Sequence, residues 1–361
     1  MFPGGYQTGC LMSWMSGSAF INDEVLQCAE RYLFRSVHPL VSIGTASDRY
    51  RGWTGQIYSE ELYSEQITSR TNRVGNKSFR EEVLPVDSVR EYFQHFKVLE
   101  IDYTFYAPLI ENGVPTSCAN TLKQYSMRMR PEDRLFLKAP QMFFAQKLRR
   151  KNDYAPNENY LASDAFTRQF YEPAVNLLGP NLKGIIFEQE YQRQSERIPP
   201  VKLAAQLDRF LSSIPRDNRY HVELRTEAYY CRPVIDVLRK HGTGQILSHW
   251  TWLPSLKRQF SRAGNRFTTA GGQAVIRLMT PLGIRYEDAY AKAFPFDRPI
   301  EEMIQPEMIA QTAQLMWEAL RGEVEINIII NNRAGGNAPR LAQRIVSEFV
   351  AMGREKKSMA P

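Results

Sequence analysis

The sequence is poor in the residues that build metal centres, redox pairs and membrane spans. Its 361 residues include only five histidines and four cysteines. Cys10, Cys28, Cys118 and Cys231 are scattered, with no pair at zinc or redox spacing. No disulfide framework is signalled, and a reduced cytoplasmic protein with unpaired thiols is expected. No apolar run reaches the ~20 residues that cross a bilayer. The stretch Cys10–Ile21 is mildly apolar, but it is short, partly polar and preceded by no Lys or Arg. It therefore suits neither a span nor a signal peptide, and a membrane is not an expected partner. No internal repeat or low-complexity tract is visible.

What is present is enough apolar material for a large core. At 43% hydrophobic, the chain fits two ordinary domains or one large α/β barrel. The net charge of +7 favours acidic partners such as phosphates or nucleic acid. For this length it is also compatible with an ordinary basic surface.

From residue 41 a rhythm of short apolar strands begins. They are Val41–Thr45, Val98–Asp102, Leu135–Lys138, Gly184–Glu188, Tyr220–Arg225, Gln245–His249, Ala274–Leu278 and Glu325–Asn331. Helical patterns follow at about 87–96, 118–129, 163–178, 200–213, 229–241, 254–263, 307–321 and 337–352. Ser163 reads as an N-cap, Pro199-Pro200 opens a helix, and Gly242 and Gly322 end two others. Eight such units predict a TIM-like (β/α)8 barrel over 41–352, with a doubly wound open sheet as the rival. An N-terminal extension, 1–40, carries one helix from Asn22, as N-cap, to Arg35, with Val25, Leu26, Ala29, Tyr32 and Leu33 on the face that packs on the barrel. Residues 353–361 read as a basic tail. Polar insertions at 59–84, with Arg70, Arg73, Lys77 and Arg80, and at 147–160 read as loops at strand C-terminal ends, the side where barrel active-site loops lie.

Strand alternation then locates a candidate site. In His221-Val222-Glu223-Leu224-Arg225 the aliphatic residues share one face and the charged residues the other. The aliphatic face belongs under the helices, so the charges point into the barrel, where an unpaired ion costs several kcal/mol. The same test places Glu100 and Asp102, Phe136 and Lys138, Arg277, and Asn327, Ile329 and Asn331 inward. Gln189 follows strand four and His249 closes strand six. The mouth thus gathers Glu100, Lys138, Gln189, Glu223, Arg225, His249, Arg277 and Asn331, as a functional site or as a self-satisfied ion network.

Asn331 through Pro339 runs from the last strand into a helix, with Gly335 and Gly336 permitting close backbone approach and Asn337 as the cap. Open N–H groups and the helix dipole there would favour an anion; a tight turn without ligand is the alternative. Aromatic residues crowd the same rim, including Tyr50, Trp53, Tyr103, Phe105, Tyr106, Phe143, Phe144, Tyr191, Trp250 and Trp252. Trp53 and Tyr106 are taken as candidate ligand contacts.

These strand ends resemble the YecE-like family, domain-of-unknown-function family 72. The resemblance rests on Ile43-Gly44-Thr45 with Tyr50, Gly52-Trp53 and Tyr58, on Val98 to Asp102 with Thr104-Phe105-Tyr106, and on Phe136 to Pro140. Leu178-Gly179-Pro180, Val222 to Arg225, and Asn331-Asn332 through Gly336 to Pro339 continue it in order. It covers about 41–350 and implies a TIM-like barrel, without a reaction. The chain departs from the family pattern at Ala46-Ser47-Asp48, where Ser-Gly-Trp is usual, and at Met279-Thr280, where His-Gly is usual. It also lacks the usual paired prolines after Glu188.

Three functions fit these residues. In the first, an enzyme binds an anionic, phosphate-bearing ligand, a nucleotide or nucleic acid among the options. Lys138, Arg225 and Arg277 hold charge, Glu100 or Glu223 acts as base and His249 moves protons. The second is a glycoside hydrolase using Glu100 and Glu223, weakened because nearby cations lower both pKa values. The third is a binder without catalysis. A Schiff base on Lys138 is disfavoured by its neighbouring carboxylates. No cofactor or metal is expected, and the oligomeric state is left open.

Overall fold

The computed structural model describes residues 23–150 and 153–358. The Cys10–Ile21 stretch and the Asn22 cap lie outside the described residues. Eight parallel strands close into a barrel: β1 (Val41–Ala46), β2 (Val98–Ile101), β3 (Arg134–Lys138), β4 (Leu182–Glu188), β5 (Tyr220–Glu223), β6 (Gly244–His249), β7 (Gln273–Leu278) and β8 (Glu325–Ile330). Each pairs with its sequence neighbours. The seam is β1 on β8, in register from Val41↔Ile326 to Thr45↔Ile330. The open-sheet rival is thereby excluded. Gly44 permits the close approach of β1 to β2, since a Cβ there would lie 2.0 Å from the Val98 carbonyl oxygen.

Alternation governs every strand. Leu99, Ile101, Leu135, Leu137, Ile276, Leu278, Ile326, Ile328 and Ile330 point outward into the main core beneath the helices. Val98, Phe136, Ile186, Ile246, Val275 and Ile329 point inward and form a separate apolar plug. The Pro200–Ser213 helix shows how the outer layer is held. Leu203, Ala204, Leu207, Phe210 and Leu211 recur at helical spacing and are all buried. Each large side chain so buried contributes about 1.5–3 kcal/mol relative to exposure.

Several boundaries differ from expectation. Ser163 is the first helical residue rather than the cap. Its helix continues through a π-turn at Thr167–Tyr171, just before Pro173. Proline has no N–H for the Gln169 carbonyl, which instead accepts Leu109 N–H at 3.0 Å. Gly242 takes the left-handed conformation at φ 62°, but at the other expected stop Glu323, φ 53°, does so in place of Gly322.

The N-terminal helix is shorter than expected, Asp23–Glu30. It packs on the last helix, Ala338–Ser358, which extends through most of the expected tail. Gln343 Nε2 donates to the Ala29 and Glu30 carbonyls, each at 3.0 Å. Arg35, past the helix end, donates to Asp133 at 2.9 Å.

Both polar insertions contain β-hairpins rather than plain loops: Thr68–Val74 with Lys77–Val83, and Lys147–Arg150 with Asp153–Pro156. The first closes through Gly75 at φ 59°. It packs on an additional helix, Tyr286–Ala293, through a small core of Val74, Ala289, Tyr290, Ala293, Phe296 and Met303. Among the described residues, no helix is long and apolar enough to cross a membrane.

Candidate functional site

Above the apolar plug, the next inward position on most strands is charged. Arg277 on β7 is fully buried and is the hub. Its Nε and Nη2 donate to the two Glu100 oxygens at 2.7 and 2.5 Å, and Nη1 donates to Glu223 and, at 3.1 Å, to Glu188. Glu188 Oε2 also accepts from Lys138 at 2.8 Å and Arg225 at 2.9 Å. Arg225 Nη2 reaches Glu223 at 3.1 Å. Asp102 lies 3.9 Å from Lys138 Nζ and accepts from Ser47 Oγ at 3.2 Å. One network therefore ties β2, β3, β4, β5 and β7 together.

Burial and charge act in opposite directions here. Burial pushes Glu188 up, yet Arg225, Lys138 and Arg277 together hold its carboxyl well below the usual range. Asp102 is likewise held low against burial, chiefly by Lys138. Burial and the neighbouring Asp102 charge push Glu100 up to about 8, despite Arg277. Burial disfavours charge on Arg277, but Glu100, Glu223 and Glu188 keep its pKa well above the ordinary value. With three carboxylates on one guanidinium, a proton on Glu100 relieves the excess negative charge.

Three mouth cations stand over aromatic rings: Lys138 over Phe105 at 4.0 Å, Arg225 over Trp250 at 4.6 Å and Arg333 over Tyr286 at 4.4 Å. Several buried polar atoms have no hydrogen-bond partner: Glu223 Oε1, Asp102 Oδ1, Ser248 Oγ, Arg225 Nε, Asn331 Nδ2 and Arg333 Nε. Such atoms cost free energy unless something meets them.

The structure brings Glu100, Lys138, Glu223, Arg225 and Arg277 together as alternation implies. It corrects other assignments. Gln189 lies one residue beyond the inward position. Glu188 pairs with Glu223 in register, while Gln189 packs beside Val222 and Leu224 and its Oε1 accepts the Arg225 N–H at 3.4 Å. The alternation of Ile185 and Phe187 outward would have identified Glu188. His249 is paired in register with outward Leu278, and Ser248 with Arg277. His249 Nδ1 meets the Thr280 carbonyl at 2.9 Å, and burial depresses its pKa to about 4. It is not placed to move protons in the mouth. His221 does point inward, but at the lower end, where its ring lies 5.8 Å from that of Phe136.

The corner after β8 is filled from within. Gly335 and Gly336 N–H donate to the Asn332 carbonyl at 3.2 and 2.7 Å. Ala338 N–H donates to Asn332 Oδ1 at 2.8 Å, Pro339 has no N–H, and Arg340 N–H donates to Asn337 Oδ1 at 2.9 Å. Gly336, at φ 95°, is needed because a Cβ would lie 2.5 Å from the Arg298 carbonyl oxygen. The glycines and Asn337 thus build a tight turn, not an anion cradle. Asn331 Oδ1 accepts the Arg333 N–H at 3.0 Å. What this corner brings to the mouth is the Arg333 side chain, which no backbone pattern singled out.

Trp53 is fully buried and donates to Asn332 Oδ1 at 3.1 Å, so it is core and not a ligand contact. Phe143 and Phe144 are also buried, whereas Tyr106 is 72% exposed. At the family departures, Asp48 is buried and accepts from Tyr125 Oη at 2.8 Å, and Met279 packs inside the barrel with Trp250 nearby. Among the described residues, no group of three or more His, Cys, Asp and Glu side chains is placed to hold a metal ion.

A closed parallel barrel with helices outside and charge at its C-terminal mouth is an α/β, TIM-like fold. Residues 42–361 match the family described as protein of unknown function DUF72, and the chain belongs to that family, in keeping with the YecE-like resemblance. Solved structures share the fold, two of which illustrate it. A DUF72 family protein from Enterococcus faecalis is 12% identical, with 86% of this chain and 95% of that one covered and a TM-score of 0.51. Another from Thermotoga maritima is 15% identical, covering 86% and 98%, also with a TM-score of 0.51. Among curated proteins none matches the chain.

Proposed function

We propose that the mouth binds an anionic, phosphate-bearing ligand, and that Glu223 is the base for chemistry on it. The observation that carries this reading is the pair of buried guanidinium Nε–H groups, on Arg225 and Arg333, that have no acceptor. An oxyanion satisfies such donors with charge-assisted hydrogen bonds. The local charge agrees. Glu100, Asp102, Glu188 and Glu223 face Lys138, Arg225, Arg277 and Arg333, four against four. With Glu100 pushed up to about 8, one carboxyl holds its proton near neutral pH, leaving a net positive site.

Glu223 Oε1 is the carboxylate oxygen left without a partner beside Arg225. Glu100 is unsuited to act on a ligand, because both its oxygens are taken by Arg277. This also disfavours glycoside hydrolysis by Glu100 and Glu223. The two carboxyls are bridged by one guanidinium and so fall within the ~9.5 Å limit for such pairs, but neither presents an acid to a glycosidic oxygen.

The test is a thermal-shift titration with inorganic phosphate and nucleoside phosphates. Wild type should be stabilised, and Arg225→Ala and Arg333→Ala should lose most of that response. Absence of any shift with these anions would remove the reading. Glu223→Gln should keep binding. Turnover lost in that variant supports the base, and binding without turnover in wild type leaves a ligand-binding protein.

A further inference from the structure

We infer that the mouth takes a ligand with two ring-and-phosphate units, a dinucleotide or longer single strand of nucleic acid, at two separate aromatic–arginine stations. The inference rests on the anion-binding reading above and names its substrate class.

The first station is built by the loops after β4, β5 and β6. Tyr191 lies with its ring centroid 6.0 Å from Trp250 and 6.1 Å from Trp252, and Arg225 stands on Trp250. Tyr191 and Trp252 remain 39% and 45% exposed. The second is built by the loops after β2, β7 and β8. Tyr106 and Tyr286 are 72% and 37% exposed, Arg333 stands on Tyr286, and Tyr106 lies within electrostatic reach of both. In the cyclic strand order these groups occupy opposite arcs, with the Arg277 network between them.

Each station pairs uncovered aromatic surface with a guanidinium whose buried Nε–H lacks an acceptor. Uncovered rings of this size stack readily on bases, and the guanidinium suits the adjoining phosphate. A single nucleotide fills one station, and a chain that repeats ring and phosphate fills both. Beyond the second station the first hairpin adds exposed arginines, with Glu82 on the same face paired to Arg51. The Thr68–Val74/Lys77–Val83 hairpin packs by Val74 on the helix that Tyr286 opens. Its opposite face carries exposed Arg73 and Arg80, where a longer strand would add salt-dependent contacts.

Calorimetric titrations with inorganic phosphate, thymidine monophosphate, its 5′-phosphorylated dinucleotide and a galacturonate disaccharide test this. The dinucleotide should bind about tenfold tighter than the mononucleotide, the gain from stacking a second base. Trp252→Ala and Tyr106→Ala, both at exposed positions, should each remove most of that advantage while leaving the affinity for inorganic phosphate unchanged. Equal affinity for mono- and dinucleotide, tighter binding of the acidic disaccharide, or indifference to both substitutions overturns the inference. If phosphate still binds in those cases, the anion-binding reading stands alone. If phosphate also fails to bind, both readings fall.

Discussion

Two levels of the barrel interior, two residues apart on each strand, follow the same alternation and differ completely in chemistry. The lower level is Val98, Phe136, Ile186, Ile246, Val275 and Ile329. The upper level is Glu100, Lys138, Glu188, Ser248, Arg277 and Asn331, with Glu223 beside them on β5. The lower level is what stability alone would select, because apolar residues of matching volume fill a barrel without desolvating charge. The upper level costs free energy that the lower one does not, and it lies where the loops open. The contrast supports the proposal that the charges are placed for a ligand, above a plug that forms a dry floor and strengthens the charge interactions over it.

Substitutions that exchange the character of the two levels test this contrast. The largest effect is expected for Arg277→Met, which leaves Glu100, Glu188 and Glu223 without their shared cation. A loss of about 3–5 kcal/mol should appear in chemical denaturation. A loss under about 1 kcal/mol would mean that the network is screened like a surface one. Ile186→Ala opens a void in the lower level and should cost about 2–5 kcal/mol, in the same assay and without altering phosphate affinity.

The pH dependence comes next. Glu100 is raised from 4.5 to about 8 in the folded state, so its stabilising proton is fully present below 4.5 and lost as pH rises through 8. His221 and His249 are depressed from 6.5 to about 4, so their contribution is full above 6.5 and lost as pH falls toward 4. Wild-type melting temperature should therefore peak near pH 6.5 and decline on both sides. Glu100→Gln should flatten the alkaline decline and steepen the acid one between pH 4.5 and 6.5, where Glu100 opposes the histidines, and an unchanged alkaline slope would refute the assignment. The smallest effect is expected for Ser248→Ala. Its hydroxyl makes no hydrogen bond, so its removal should change stability by less than about 1 kcal/mol.

The sequence revealed most of this architecture because hydrophobic alternation is strong in buried strands. Leu99 and Ile101, or Ile326 and Ile328, leave little choice about which neighbours face inward. It failed at strand ends, where a slip of one residue reverses the face. The sequence points to Gln189 where Glu188 faces inward and to His249 where Ser248 does, because a polar side chain at a strand terminus looks functional whichever way it points. The hairpin at 68–83 was also missed, although Gly75-Asn76 between polar alternating runs is a turn signal. Its strands are charged on both faces, so no apolar period marks them. Arg333 and the closure of the Gly335–Gly336 corner depend on contacts with Tyr286 and Arg298, which lie more than thirty positions away in the chain and leave no local trace.

The seam between β1 and β8 has a kinetic consequence. β1 emerges early in synthesis and cannot complete its pairing until β8, near the other end of the chain, is available. Non-local pairings of this kind are slow to form. Arg277 reaches Glu100 across 177 positions, so on a growing chain β2 presents Glu100 long before its cation has been made, whereas Glu188 and Glu223 already have Lys138 and Arg225. Until β7 arrives, Glu100 must remain hydrated or protonated, which delays collapse of the upper barrel while the Phe136 and Ile186 level can already pack. The mouth would then be the last part of the interior to lose water during folding.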